Sequence, residues 1–261
     1  MPQMEDIYLL RPLPYSQSKF LRRLTYLLIV FTILIALLFT VSFYMNTKYV
    51  KPLAKSRSAC PIVKYDYNLL ALRWIPTTCS NTKCIADKEK WEIHGLWPTY
   101  FNGSWPQFCC NTLPFNVNLI EALVPEMDTV WPNQLPGKAD DSLWDHEWSK
   151  HGTCSKVGLE NGQKSYFAKT LDLFNKYPIQ EWLSKAGIIP TTKSNENAYE
   201  LNKVHEAIES QIGHKVNLQC TRKSDMIDTL YLCFDYQNLT LIDCPKKDSC
   251  ADKVILPKLK A

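Results

Sequence analysis

No cysteine occurs before Cys60, yet ten follow from there to the end of the 261-residue chain. An even number confined to one side of a sequence points to disulfides in an oxidising compartment. Paired C-x-x-C knuckles are absent, and the short spacings Cys79 to Cys84 and Cys244 to Cys250 do not suit a structural zinc site. A large excess of charge of either sign is also absent. The net charge of +4 permits a polyanionic partner without arguing for one. No internal repeat and no low-complexity tract occurs, which sets aside solenoids. Residues 24–44 contain no charged side chain at all.

That uncharged run spans about 30 Å as a helix, enough to cross a bilayer. Tyr26 and Tyr44 sit at its ends, where amphipathic rings favour the interface. A cleaved signal peptide is the alternative, but the run and the segment before it are long for one. Basic residues flank both sides: Arg11, Lys19, Arg22 and Arg23 before, Lys48, Lys51, Lys55 and Arg57 after. The flanking charge therefore nearly ties. The cysteines break the tie, as do two sequons, at Asn102 and Asn238, because disulfides and N-glycans form on the lumenal side. The expected layout is a cytosolic tail over 1–23, a signal-anchor over 24–44, a stalk over 45–59 and a lumenal domain over 60–261. This is a type II, single-pass protein of the secretory or endolysosomal pathway, its anchor either retained or later clipped to release a secreted form. In the tail, Glu5-Asp6-Ile7-Tyr8-Leu9-Leu10 resembles an acidic dileucine signal that a clathrin adaptor would read.

About two hundred residues remain, a normal size for one core. Strands are expected over 65–75 and around 92–96, with Pro98 forcing a turn. Helical spacing runs over 118–131, interrupted at Pro125, and over 166–185, divided at Pro178. A cleaner amphipathic helix is expected over 197–212, with Leu201, Val204, Ile208 and Ile212 on one face and Gly213 as its stop. Residues 226–236 read as a strand, followed by a turn at Gln237-Asn238 and a second strand to Asp243. Helices and strands mix without regular alternation, so the class is α+β.

Two blocks carry the chemistry. One reads WEIHGLWPTY from Trp91; the other reads HEWSKHGTC from His146. If His146 to His151 is helical, His146, Lys150, Glu147 and His151 lie at about 0°, 40°, 100° and 140° around the axis, on one arc. A solvated polar face is the bland reading. Trp144, Trp148 and Cys154 argue against it, because they would pin the segment to the core. A zinc hydrolase using His146 and His151 is a rival, but their i, i+5 spacing is poor for two ligands on one helical face. His205 and His214 lie outside both blocks and read as surface or packing residues.

HGLWP and HEWxKHGxC resemble the paired active-site segments of the ribonuclease T2 family, acid endoribonucleases, and the likeness runs from about Asp66 to Cys250. The resemblance implies a mainly antiparallel central sheet flanked by helices. It implies that His94 and His151 form an acid–base pair, that His146 binds phosphate, and that Glu147 and Lys150 stabilise the charged phosphorus centre. Trp97 would wall a base site, with Thr99 beside it where many members carry aspartate; base preference is therefore open. The implied activity is metal-independent cleavage of single-stranded RNA with low base specificity, by a monomer needing no cofactor. A binding or signalling glycoprotein on the same fold is the alternative. The resemblance also implies bridges Cys79–Cys84, Cys110–Cys154, Cys220–Cys250 and Cys233–Cys244, leaving Cys60 and Cys109 either paired or free.

Overall fold

The computed structural model describes residues 15–49, 60–61, 63–85, 88–192, 198–221 and 225–259. The chain divides into two compact units, Met1–Arg57 and Ser58–Ala261. In the first, α1 runs over Tyr15–Tyr49. Its stretch Arg22–Val41 has a mean hydropathy of 2.7 and is exposed along its length. Thr32 and Thr40 donate their hydroxyls to the carbonyls of Ile29 and Leu37, so neither presents a free donor to an apolar medium. The motif at Glu5–Leu10 and stalk residues 50–59 lie outside the described residues.

The second unit is built on an antiparallel sheet, with order β2-β1-β5-β4 and β6 added to β5. Its centre is β1, Tyr67–Trp74, whose leucine-rich run is buried on both faces. The strand β5, Ile227–Asp235, pairs with β1, β4 (Asn217–Cys220) and β6 (Leu241–Ile242). At one edge lies β2, Trp91–Thr99. Packed around the sheet are α2 (Ile75–Asn81), α3 (Val124–Val130), α4 (Asp140–Lys150), α5 (Lys156–Lys176), α6 (Ile179–Lys185) and α7 (Leu201–Ile212). A two-stranded ribbon joins β3 (Tyr199–Glu200) to β7 (Lys253–Val254). The architecture is α+β with an antiparallel sheet flanked by helices.

Several expectations shift. Pro98 does not end its strand: it pairs with Asn68 inside β2. Proline is tolerated there because β2 is an edge strand with one side free of partners. Residues 118–131 divide into two 3-10 turns and the short α3, with Pro125 in the first turn of the helix. The ribbon strand β3 takes residues 199–200, so α7 begins only at Leu201. Gly213 ends it at φ 73°, in the left-handed region a glycine cap favours.

The cysteine pairing needs one correction. Cys79–Cys84, Cys220–Cys250 and Cys233–Cys244 are bridged. Cys154, however, pairs with Cys109, and Cys110 pairs with Cys60. Cys110–Cys154 is thus wrong by one residue. Neighbouring side chains on a non-helical chain diverge, so Cys109 faces the turn after α4 while Cys110 faces the start of the unit.

Candidate active site

His94 owes its position to an irregularity in the sheet. Gly95 pairs with Ala71 and Ile93 with Leu72, so His94 is an extra residue without a partner in the register. Such a bulge twists the strand and re-aims a side chain. His94 and Trp97 are largely covered but not sealed off, the two partly accessible positions of an otherwise buried β2. Gly95 is required for contact rather than for backbone conformation: a Cβ there would collide with Glu147 Oε2 and Trp97 Nε1.

The second block enters from α4. Asp140 and Asp141 occupy its first turn and Lys150 its last, matching the helix dipole. Indole hydrogen bonds tie it to β2 by way of Trp131 and to the loop at Leu113. Trp144 Nε1 donates to Trp131 O at 2.8 Å, Trp131 Nε1 to His94 O at 3.0 Å, and Trp148 Nε1 to Leu113 O at 2.8 Å. The predicted pinning by Trp144 and Trp148 is therefore present. His151 is the C-cap rather than a helical residue, its N–H bonded to Glu147 O at 3.1 Å. The turn Gly152–Cys154 follows, tied by Cys109.

These elements meet around one indole. Trp97 Nε1 donates to Glu147 Oε2 at 2.7 Å. The Trp97 ring lies 5.0 Å from His94, edge to face, and 5.2 Å from His151, nearly parallel. The His146 ring lies 6.5 Å from that of His151. A cleft of about 330 Å³ is lined by His94, Trp97, Thr99, His146, Glu147, Lys150 and His151. All seven residues singled out from the sequence thus border one cavity. Thr99 contributes little polarity to it. The residue is buried and its hydroxyl donates to Trp97 O at 3.0 Å.

Burial dominates the electrostatics. It holds His94 and His151 down to about 3, assisted by Arg73, His146 and Lys150 at His94 and by Lys150, His146 and His94 at His151. His146, more exposed, is lowered by burial and by Lys150. Burial pushes Glu147 up to about 8, against the opposing pull of the Trp97 hydrogen bond, Lys150 and Arg73. His151 Nδ1 is buried without a partner, so stacking on Trp97 orients this ring.

The sequence did not disclose the opposite wall. Tyr67, Trp105, Asn217, Gln219, Tyr231 and Lys246 also line the cleft. They come from β1, β4, β5 and two loops, brought together by strand pairing between distant parts of the chain. The sequons fall in exposed turns, Asn102 beside the cleft residue Gly103 and Asn238 between β5 and β6.

The model of the Ribonuclease T2 family matches residues 65–244. The chain belongs to the ribonuclease T2 family. It is 36% identical over 197 residues to ribonuclease DdI of Dictyostelium discoideum, covering 74% of this chain and 85% of that one. It is 33% identical over 186 residues to ribonuclease T2 of Sus scrofa, covering 68% and 88%. Its fold is similar to that of RNase NT, solved in complex with 5'-AMP, at a TM-score of 0.67 and 32% identity, covering 75% of this chain and 99% of that one. Ribonuclease MC1 from bitter gourd seeds aligns at a TM-score of 0.64 and 27% identity, covering 73% and 100%. The T2-type chain is an endoribonuclease with five disulfides.

Proposed function

We propose that this T2-type endoribonuclease cuts single-stranded RNA without a metal, with low base specificity, from a membrane-anchored lumenal domain. The observation that carries the chemistry is that His94 and His151 both contact the Trp97 ring, at 5.0 and 5.2 Å, in one cleft. His151 takes the proton of a ribose 2′-hydroxyl as its oxygen bonds to phosphorus. His94 delivers a proton to the departing 5′-oxygen as that bond breaks. The product is a 2′,3′-cyclic phosphate, which water then hydrolyses slowly. Attack by a neighbouring hydroxyl is intramolecular, so positioning supplies much of the rate. His146 and Lys150 offset charge gathering on the phosphoryl oxygens. With its carboxyl pushed up to about 8, Glu147 is neutral in acid and can face an anionic phosphate without repelling it.

The protein's own groups oppose a protonated His94, since burial and its cationic neighbours hold it down to about 3. A bound phosphodiester supplies the missing negative charge and raises both histidines. The acid form of His94 therefore persists to higher pH in the complex than in the free enzyme. The pH profile of kcat should accordingly extend to higher pH than that of kcat/KM.

The full chain in detergent is expected to degrade RNA at about pH 5 in EDTA; inactivity there, or rescue only by added metal, would overturn the proposal. The anchor reading rests on the charge-free stretch 24–44 within α1 and on the one-sided cysteines and sequons. It places Glu5–Leu10 in the cytosol within reach of a clathrin adaptor. Leu9→Ala with Leu10→Ala should shift the protein to the cell surface, and unchanged localisation would dismiss that motif.

A further inference from the structure

The segment 243–249 contributes Cys244 and Lys246 to one wall of the cleft, and two disulfides fasten it. Cys244 is bridged to Cys233 and Cys250 to Cys220. Between these staples, Lys246 borders the cleft and its Nζ reaches across to Gly103 O at 3.3 Å. The segment is held from behind by Asp248. Its Oδ1 accepts from Leu218 N at 2.6 Å and Asn217 Nδ2 at 3.3 Å, and Asn217 Nδ2 also donates to Lys246 O at 3.2 Å. Its other oxygen, Oδ2, meets His205 Nε2 at 2.7 Å. The second ring nitrogen of His205 meets Glu209 Oε1 at 2.9 Å.

We propose that His205 is a positioning residue for RNA binding: as a cation bridging Asp248 and Glu209, it holds the 243–249 wall so that Lys246 engages a phosphate next to the one being cleaved. An imidazole between two carboxylates fills both contacts only when both nitrogens carry protons. The geometry thus selects the charged form, which Asp248 first and Glu209 second favour by hydrogen bonding. Lys215 sits on the other oxygen of Glu209 at 2.7 Å. The elements around α7 keep their own charges paired, Lys185 with Glu181 on α6 and Lys253 with Glu200 across the ribbon. Lys246 itself is exposed and, among the described residues, its ammonium meets a single carbonyl, leaving protons for an anion.

The sign follows from linkage. His205 is raised above its usual 6.5, so its stabilisation is complete below 6.5 and is lost as pH climbs through the folded value. Burial works against the charge on Asp248, but hydrogen bonds from His205 and the Leu218 N–H hold it below 3.8; that side of the bridge fails only in strong acid. The wall is therefore fixed across the mildly acidic range and released above it.

The inference rests on the cleft being an RNA site, and the test separates the two. KM and kcat are measured on an oligoribonucleotide between about pH 5 and pH 8, using the full chain in detergent. With His205→Gln, KM at pH 5 should rise about fivefold, comparable to losing one partly buried ion pair, and its rise with pH should flatten while kcat stays within about twofold. Lys246→Gln should raise KM similarly. Should His205→Gln fail to fold, Asp248→Asn takes its place with the same expected outcome. A wild-type KM profile in the folded variant overturns the proposal. If the wild-type chain does not cleave RNA, the ribonuclease reading falls, and amide exchange over residues 244–249 decides the bridge on its own. Protection factors, which remove the intrinsic rise of exchange with pH, support the bridge if they fall in wild type as pH climbs through the folded value of His205 and are already low at pH 5 in the variant; identical protection in both removes it.

Discussion

The chain's five histidines occupy two opposite environments. In the cleft, burial and neighbouring cations drive His94 and His151 down to about 3. Behind β4, hydrogen bonds to Asp248 and Glu209 raise His205, and His214 meets Asp243 at 3.1 Å. The cleft set waits for an anion that the protein withholds and the substrate brings. The outer set already has its anions. A buried histidine with no carboxylate is costly in acid, whereas a carboxylate-bridged one is favourable there. One chain can therefore concentrate unpaired basic groups at its site while acid strengthens the wall around it.

The largest test of this contrast removes the cleft histidines. His94→Ala and His151→Ala should each lower kcat on RNA by about a thousandfold, in the range expected for a lost general acid or base. The corresponding change at His214 should leave kcat nearly untouched. Comparable losses at both positions would dissolve the distinction between the two sets.

Next in size is the Cys109–Cys154 bridge, which closes a 45-residue separation and anchors the turn after His151. Replacing both cysteines by serine should cost about 3 kcal/mol in denaturant unfolding. It should also lower kcat, because the turn carrying His151 loses its tie. The sequence displayed the residues that line the cleft beside Trp97 but not this pairing. The motif spacing of the second block depends on helical geometry, which is local, so His146, Glu147 and Lys150 could be set on one arc before any fold was known. The choice between Cys109 and Cys110 depends on which way each side chain leaves an irregular segment. The bulge at His94 was hidden for a related reason, since it exists only in the register between β1 and β2. Asn217 and Gln219 were invisible because the β4–β5 pairing, not the local sequence, delivers them to the cleft, and Lys246 because its loop is held there by the bridges at Cys244 and Cys250.

A smaller effect is expected at Glu147. Its folded value of about 8 lies above the usual 4.5, so the folded state keeps a proton that the unfolded chain gives up between those values. Stability from this group is therefore full below 4.5 and lost as pH rises through about 8. Glu147→Gln keeps the contact with Trp97 Nε1 but cannot ionise. Its stability relative to wild type should improve from pH 5 to pH 8, by on the order of 2 kcal/mol. His151→Gln should show the reverse trend, gaining on wild type as pH falls below 6.5, because wild-type His151 resists protonation. Parallel stability curves for wild type and Glu147→Gln would mean that the carboxyl is charged in the cleft.

The smallest effect belongs to His214. Its ring meets Asp243 Oδ1 at 3.1 Å, but that oxygen also accepts the Lys215 N–H at 2.9 Å, and both side chains are well exposed to solvent. Exposed pairs contribute little, so His214→Gln should change stability by less than about 0.5 kcal/mol at pH 5. The backbone bond from Lys215 keeps Asp243 in place, and Cys244 N still donates to Lys215 O at 2.9 Å. His214 and His205 hold the two ends of the same wall, so the pair of variants distinguishes burial from mere contact. If His214→Gln raised KM as much as His205→Gln, solvent screening would not be what separates them, and the bridge at Asp248 would lose its special standing.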